Sequence, residues 1–158
     1  MQMKTMRIDA FLRESPMFAV SCAARRFNSL ADSALAADNL NFLEGLVLVA
    51  IFFETPRQIK PSQLAETFAT TRGNISHSIS SLEAKGLLQR RIDPKDARAY
   101  LLTLTPTGRK SAMRSIRALD HLQQCFEKEV GKTALSHTLK VLRLLEGIAS
   151  SQCEVATV

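Results

Sequence analysis

At 158 residues with 46% apolar side chains, the chain can bury a real core, which excludes a disordered polymer and a disulfide-stapled miniprotein. Three widely spaced cysteines (Cys22, Cys125, Cys153) include no CxxC pair, which argues against a disulfide framework or a zinc site and fits a reducing cytoplasm. The formal charge is +6, and the whole excess falls between Pro56 and Lys110, where ten Lys/Arg oppose four Asp/Glu. A polyanion footprint is therefore confined to the middle third.

The first 14 residues have a mixed pattern that assigns no element. From Pro16 to Ala37, Phe27, Leu30, Ala31, Ala34 and Leu35 form one apolar stripe, so a helix is expected with Pro16 in its first turn. The apolar run after Pro16 ends at Arg25-Arg26, a poor signal peptide. Leu40 to Phe53 is apolar nearly all round; it reads as a buried helix, with a short strand over Leu46 to Phe53 as the competitor. Glu44 interrupts this run, which is too short to span a bilayer. Pro61 to Ala69 reads as a short helix with Leu64, Ala65 and Phe68 inward. Thr70-Thr71 breaks the chain and supplies an N-cap for a second helix, Arg72 to Lys85, whose Ile75, Ile79 and Leu82 face the core and which Gly86 ends.

Leu87 to Ile92 and Ala99 to Thr105 are expected strands around a six-residue tip, Asp93 to Arg98. Thr105-Pro106 opens a long helix to about Val130, and Gly131 breaks it. A last helix spans Ala134 to Ser150, with Ser151 to Val158 as a loose tail. The fold class is mainly α with a small β-hairpin wing (α+β): a winged helix-turn-helix lobe plus a helical dimerisation region. Residues 1–55 are expected to supply N-terminal helices for dimerisation and core, 56–105 the winged lobe, and 106–158 the C-terminal dimerisation helices, all within one structural domain; the dimerisation role of the N-terminal helices is what the family resemblance described below implies.

A winged helix-turn-helix must turn a polar face of its second helix to the major groove while the other face locks onto the core. The outward positions are Arg72, Asn74, Ser76, His77, Ser80 and Ser81, small polar groups that let the helix axis approach the groove floor. In the hairpin, Arg90, Arg91 and Lys95 lie near the turn, and Arg98 has the reach and planarity for a narrow minor groove, with Asp96 placed to brace it. The last helix is apolar over more than one face, beyond what a small monomer needs, which points to a homodimer.

Gln63-Leu64-Ala65, Leu82 to Arg90, Asp93 to Arg98 with its Asp-x-Arg pattern, and Leu102 to Gly108 together resemble the MarR family of bacterial transcriptional regulators. The resemblance is specific over Pro61 to Lys110. It implies a homodimer on a pseudo-palindromic operator of double-stranded DNA, with Ser76, His77 and Ser81 at base- or phosphate-contacting positions and Arg98 as the minor-groove arginine. Lys60 stands where the family often has a Ser or Thr cap, and His77 and Ser81 stand where Arg is frequent. The resemblance further implies release by a small-molecule effector; Phe18, Phe27, Phe42, Leu46, Met113 and Arg114 are the candidate lining, and each is equally suited to the core. It also implies a cytoplasmic, nucleoid-associated repressor.

Two alternatives stand beside this. One is a redox-sensing regulator of the same fold using Cys22, although the only tyrosine, Tyr100, sits in the wing. The other is a winged-helix protein-interaction module without DNA. No catalytic order, phosphate loop or metal spacing occurs, so no enzyme, metal, cofactor or membrane partner is expected.

Overall fold

The computed structural model describes residues 8–93 and 96–155. Among them, seven α-helices and one hairpin follow in chain order: α1 (Ile8–Glu14), α2 (Pro16–Leu35), α3 (Phe42–Glu54), α4 (Pro61–Thr67), α5 (Arg72–Ala84), β1 (Leu88–Asp93), β2 (Asp96–Leu104), α6 (Pro106–Val130) and α7 (Lys132–Val155). A 3₁₀ turn, Ala36–Asp38, links α2 to α3. The chain divides into two compact units, one reaching to Ala118 and one beginning at Leu119 inside α6. No single helix among the described residues is long and apolar enough to cross a membrane.

The first unit holds the core. Leu35 and Leu40 meet Val47, Leu48 and Ile51 of α3, Leu64 of α4, Ile75, Ile79 and Leu82 of α5, Leu88 and Leu102 of the hairpin, and Ala112 of α6. The expected inward faces of α4 and α5 are thus the observed ones. The ambiguous segment 46–53 is helix, because Asn41 starts it with a capping box. The Asn41 side chain accepts the Glu44 N–H, and the Glu44 carboxylate accepts the Asn41 N–H, both at 2.9 Å. Its burial is one-sided, since Phe53 is two-thirds exposed. Lys60 lacks a capping hydroxyl, and α4 uses the other half of the box: Gln63 Oε1 accepts the Lys60 N–H at 2.9 Å.

Three boundaries differ from expectation. The mixed N-terminal pattern contains a helix, α1. The pairing of Asp93 with Asp96 carries the ladder closer to the tip, so strands replace most of the six-residue loop. The register shifts between Ile92, which faces Tyr100, and Asp93. Finally, α7 runs on to Val155 where a loose tail was expected.

The junction between wing and α6 is tight. Thr105 donates its hydroxyl to the Gly86 carbonyl at 2.8 Å and its N–H to the Leu87 carbonyl at 3.1 Å. The same hydroxyl accepts the Gly108 N–H at 2.9 Å, capping α6. Gly108 is buried so closely that an added Cβ would lie 1.8 Å from the Leu87 carbonyl oxygen. Gly86 itself adopts φ +69°, the left-handed conformation that ends α5.

The second unit contains the end of α6 and all of α7, joined at Gly131. On α7, Leu139, Val141, Leu142, Leu144, Leu145 and Ile148 are all exposed. Gly108→Ala should lower the unfolding free energy by about 2 kcal/mol or more, the cost of overpacking against fixed backbone; urea denaturation followed by circular dichroism measures it, and a wild-type midpoint would refute the close approach.

Candidate nucleic-acid interface

The second helix of the motif is fixed at both ends. At its start, Thr71 Oγ1 accepts the Asn74 N–H at 3.1 Å, and Asn74 Nδ2 donates to Thr70 Oγ1 at 3.0 Å. At its end, Lys85 Nζ donates to both carboxylate oxygens of Glu44 at 2.8 Å and to the Asn39 carbonyl at 2.6 Å. Glu44 is buried, 3% exposed, in the first turn of α3. Burial alone would raise its carboxyl. Hydrogen bonds from Lys85, Ser81 and the Asn41 N–H, with the Lys85 charge, outweigh this and hold it below its ordinary 4.5. Glu44 and Lys85 had no assigned role in the sequence reading. The available signal was a carboxylate inside an apolar run, which must find a partner when buried.

Between these anchors the outward face is as expected for most of its residues. Arg72, Asn74, Ser76, His77 and Ser80 are exposed. Ser81 differs: it is half-buried and its hydroxyl bonds Glu44, so its position on the helix turns it toward α3. Ser78, between the two rows, is buried.

The two adjacent arginines of β1 have opposite fates. Arg91 is exposed. Arg90 folds back on α5, with Nη2 donating to Ser80 Oγ at 2.6 Å and Nε lying 3.1 Å from Glu83 Oε2. Alternation along a strand sends neighbours to opposite faces, and a run of two arginines hides this. Opposite each other across the ladder, Ile92 and Tyr100 are both exposed. Lys95 and the side chains of Asp96 and Arg98 lie outside the described residues.

The six candidate effector residues do not share one groove. Phe18 lines a shallow groove with Leu12, Arg13, Ala19 and Cys22, where Arg25 donates to Cys22 Sγ at 3.5 Å. Phe42 packs against the core and Leu46 is half-buried. Phe27 and Met113 are exposed. Arg114 is held by Asp38, with Nε 2.9 and 3.0 Å from its two oxygens. Among the described residues, no group of three or more His, Cys, Asp or Glu is placed to hold a metal ion.

Two stabilised helix ends, a polar outward face and a hairpin clamped beside it define a winged helix-turn-helix. Residues 46–123, just under half of the chain, match the family model of the winged helix DNA-binding domain. The structure is similar to a MepR–DNA complex from S. aureus, at 16% identity over 86% of this chain and 98% of that one, with a TM-score of 0.75. A mutant MarR from E. coli complexed with operator DNA has 19% identity over 80% and 90%, TM-score 0.70. BpsR from Bordetella bronchiseptica, whose DNA binding is regulated by 6-hydroxynicotinic acid, has 17% identity over 90% and 98%, TM-score 0.74. At these identities the likeness is one of fold. No curated protein matches the chain significantly in sequence. Family model and fold together show a winged helix-turn-helix of the kind these regulators share.

Because the folded carboxyl of Glu44 titrates below its unfolded value, the pair's stabilisation is complete above about pH 4.5 and is lost as pH falls through the folded pKa. Thermal melts should therefore fall on acidification, and less steeply in Glu44→Gln. Lys85→Met, which leaves the carboxylate buried and alone, should cost about 3 kcal/mol at neutral pH; a loss under about 1 kcal/mol would mean the pair behaves like a surface ion pair.

Proposed function

We propose that the chain binds a pseudo-palindromic duplex as a homodimer, with α5 in the major groove and the wing along the backbone and minor groove. The observation that carries this is the exposed row Arg72, Asn74, Ser76, His77 and Ser80, set beside a hairpin that bears the exposed Arg91. Small polar groups at those positions suit close approach to base edges, and cations in the wing suit phosphates. In this reading Arg98, braced by Asp96, enters the minor groove, Lys95 meets phosphate, and Ser81 serves the lobe from its inward position. The role is regulatory and not catalytic, in the cytoplasm.

Dimerisation is supported by the exposed apolar rows of α7 and of α2, where Met17, Phe18, Val20, Phe27 and Leu30 are exposed. On this reading, residues 1–55 and 106–158 form the dimer region around the 56–105 lobe. Release by a small effector is supported by BpsR, whose ligand is a small aromatic acid; Phe18 with Arg13 in one groove is the arrangement nearest to such a ligand. A thiol switch at Cys22 is the second reading, favoured by the Arg25 hydrogen bond to its sulfur.

Arg98→Ala should weaken binding to a selected duplex by roughly 1–3 kcal/mol, measured by fluorescence anisotropy; wild-type affinity would remove Arg98 from the groove. Binding should fall steeply with added salt, and an affinity flat across that range would favour a protein partner. Sedimentation should give a dimer, and a monomer at micromolar concentration would end the two-lobe reading.

A further inference from the structure

We propose that Arg90 is a positioning residue: clamped by Glu83 and Ser80 of α5, it sets the angle of the wing against that helix and does not itself grip DNA. The inference rests on the DNA-binding reading above and reassigns one of its cations.

Three contacts make the clamp. Arg90 Nη2 donates to Ser80 Oγ at 2.6 Å, Arg90 Nε lies 3.1 Å from Glu83 Oε2, and the Arg90 backbone N–H donates to Glu83 Oε1 at 3.4 Å. One carboxylate therefore holds both the side chain and the backbone of the same strand residue. The Nε atom is shielded from solvent and makes no hydrogen bond, so its contact with Glu83 is one of charge, while the next residue, Arg91, is exposed. Drawn onto α5, the guanidinium spends its charge on Glu83 and one N–H on Ser80.

The clamp ties β1 directly to α5. The wing leaves α5 through the left-handed turn at Gly86, and an isolated two-stranded hairpin is marginally stable in water. Thr105 fixes the base of the hairpin through the Gly86 and Leu87 carbonyls, and Leu88 and Leu102 seat its inner face in the core. Arg90, four residues beyond Gly86, ties β1 to the helix whose outward face is proposed to enter the groove. It also neutralises Glu83, a carboxylate that would otherwise repel phosphates at the edge of that face.

The test compares Glu83→Gln, Arg90→Gln and the double variant in the full chain. The first measurement is affinity for a duplex selected by the wild-type chain from a random-sequence pool, across a range of salt. The second is amide exchange of β1 by nuclear magnetic resonance, without DNA. Electrostatics alone predicts tighter binding for Glu83→Gln, which removes a negative charge. The clamp predicts the opposite sign: each single variant weakens binding about fivefold, the double is no worse than either, and the salt dependence keeps its slope. Amides of β1 exchange faster in both single variants. Unchanged or tighter binding by Glu83→Gln overturns the proposal, as does an Arg90→Gln slope shallower by about one, the mark of a lost phosphate contact. If the wild-type chain selects no duplex, the DNA-binding reading falls separately. The exchange data then decide the clamp: acceleration in both variants supports it, and wild-type exchange in either overturns it.

Discussion

Much of the lobe's geometry hangs on one buried carboxylate. Glu44 sits in an otherwise apolar helix, and its charge is tolerable there only because Lys85, Ser81 and the Asn41 N–H surround it. Those partners come from two helix ends: Asn41 starts α3, and Ser81 and Lys85 finish α5. Lys85 also holds the Asn39 carbonyl, in the turn that delivers the chain into α3. A single ammonium thus ties the entry of the core helix to the exit of the helix that carries the polar face. Such pairs seldom add much net stability over an apolar alternative, but they penalise any arrangement that separates the partners. Here the penalised motion is displacement of the end of α5 from α3.

Charge in this lobe accordingly has two uses. Lys85 and Arg90 are spent inside the molecule, one on Glu44 and the other on Glu83. Arg57, Lys60, Arg72, Arg91, Arg109 and Lys110 keep their side chains exposed. The excess of ten cations over four acids between Pro56 and Lys110 is therefore a mixture of internal ties and outward field. Composition alone weighs these equally, and only geometry separates them.

That distinction also describes what could be read from the residues. Periodicity located Ile75, Ile79 and Leu82, and local chemistry located the Thr71 and Thr105 caps and the Gly86 stop, because each depends on neighbours within one turn. The helical state of 46–53 was ambiguous to composition and was decided by a reciprocal bond between Asn41 and Glu44. The inward turn of Ser81 and the folding back of Arg90 depend on residues 37 and seven positions away, Glu44 and Glu83, and no local pattern reports them. Likewise, the ladder extends through Asp93 and Asp96 although turn-forming residues fill that stretch, since strand pairing overrides local preference.

The Thr105 junction has a mechanical consequence. One side chain and its own amide bind the carbonyls of Gly86 and Leu87 and the first turn of α6, and Gly108 lets that helix rest directly on the backbone at Leu87. With no side chain interposed, there is nothing compressible in the joint. The first turn of α6 and the root of the hairpin must move as one stiff piece. A small rotation of that helix about its axis is therefore delivered to the wing undamped, as a crank turns the arm fixed to it.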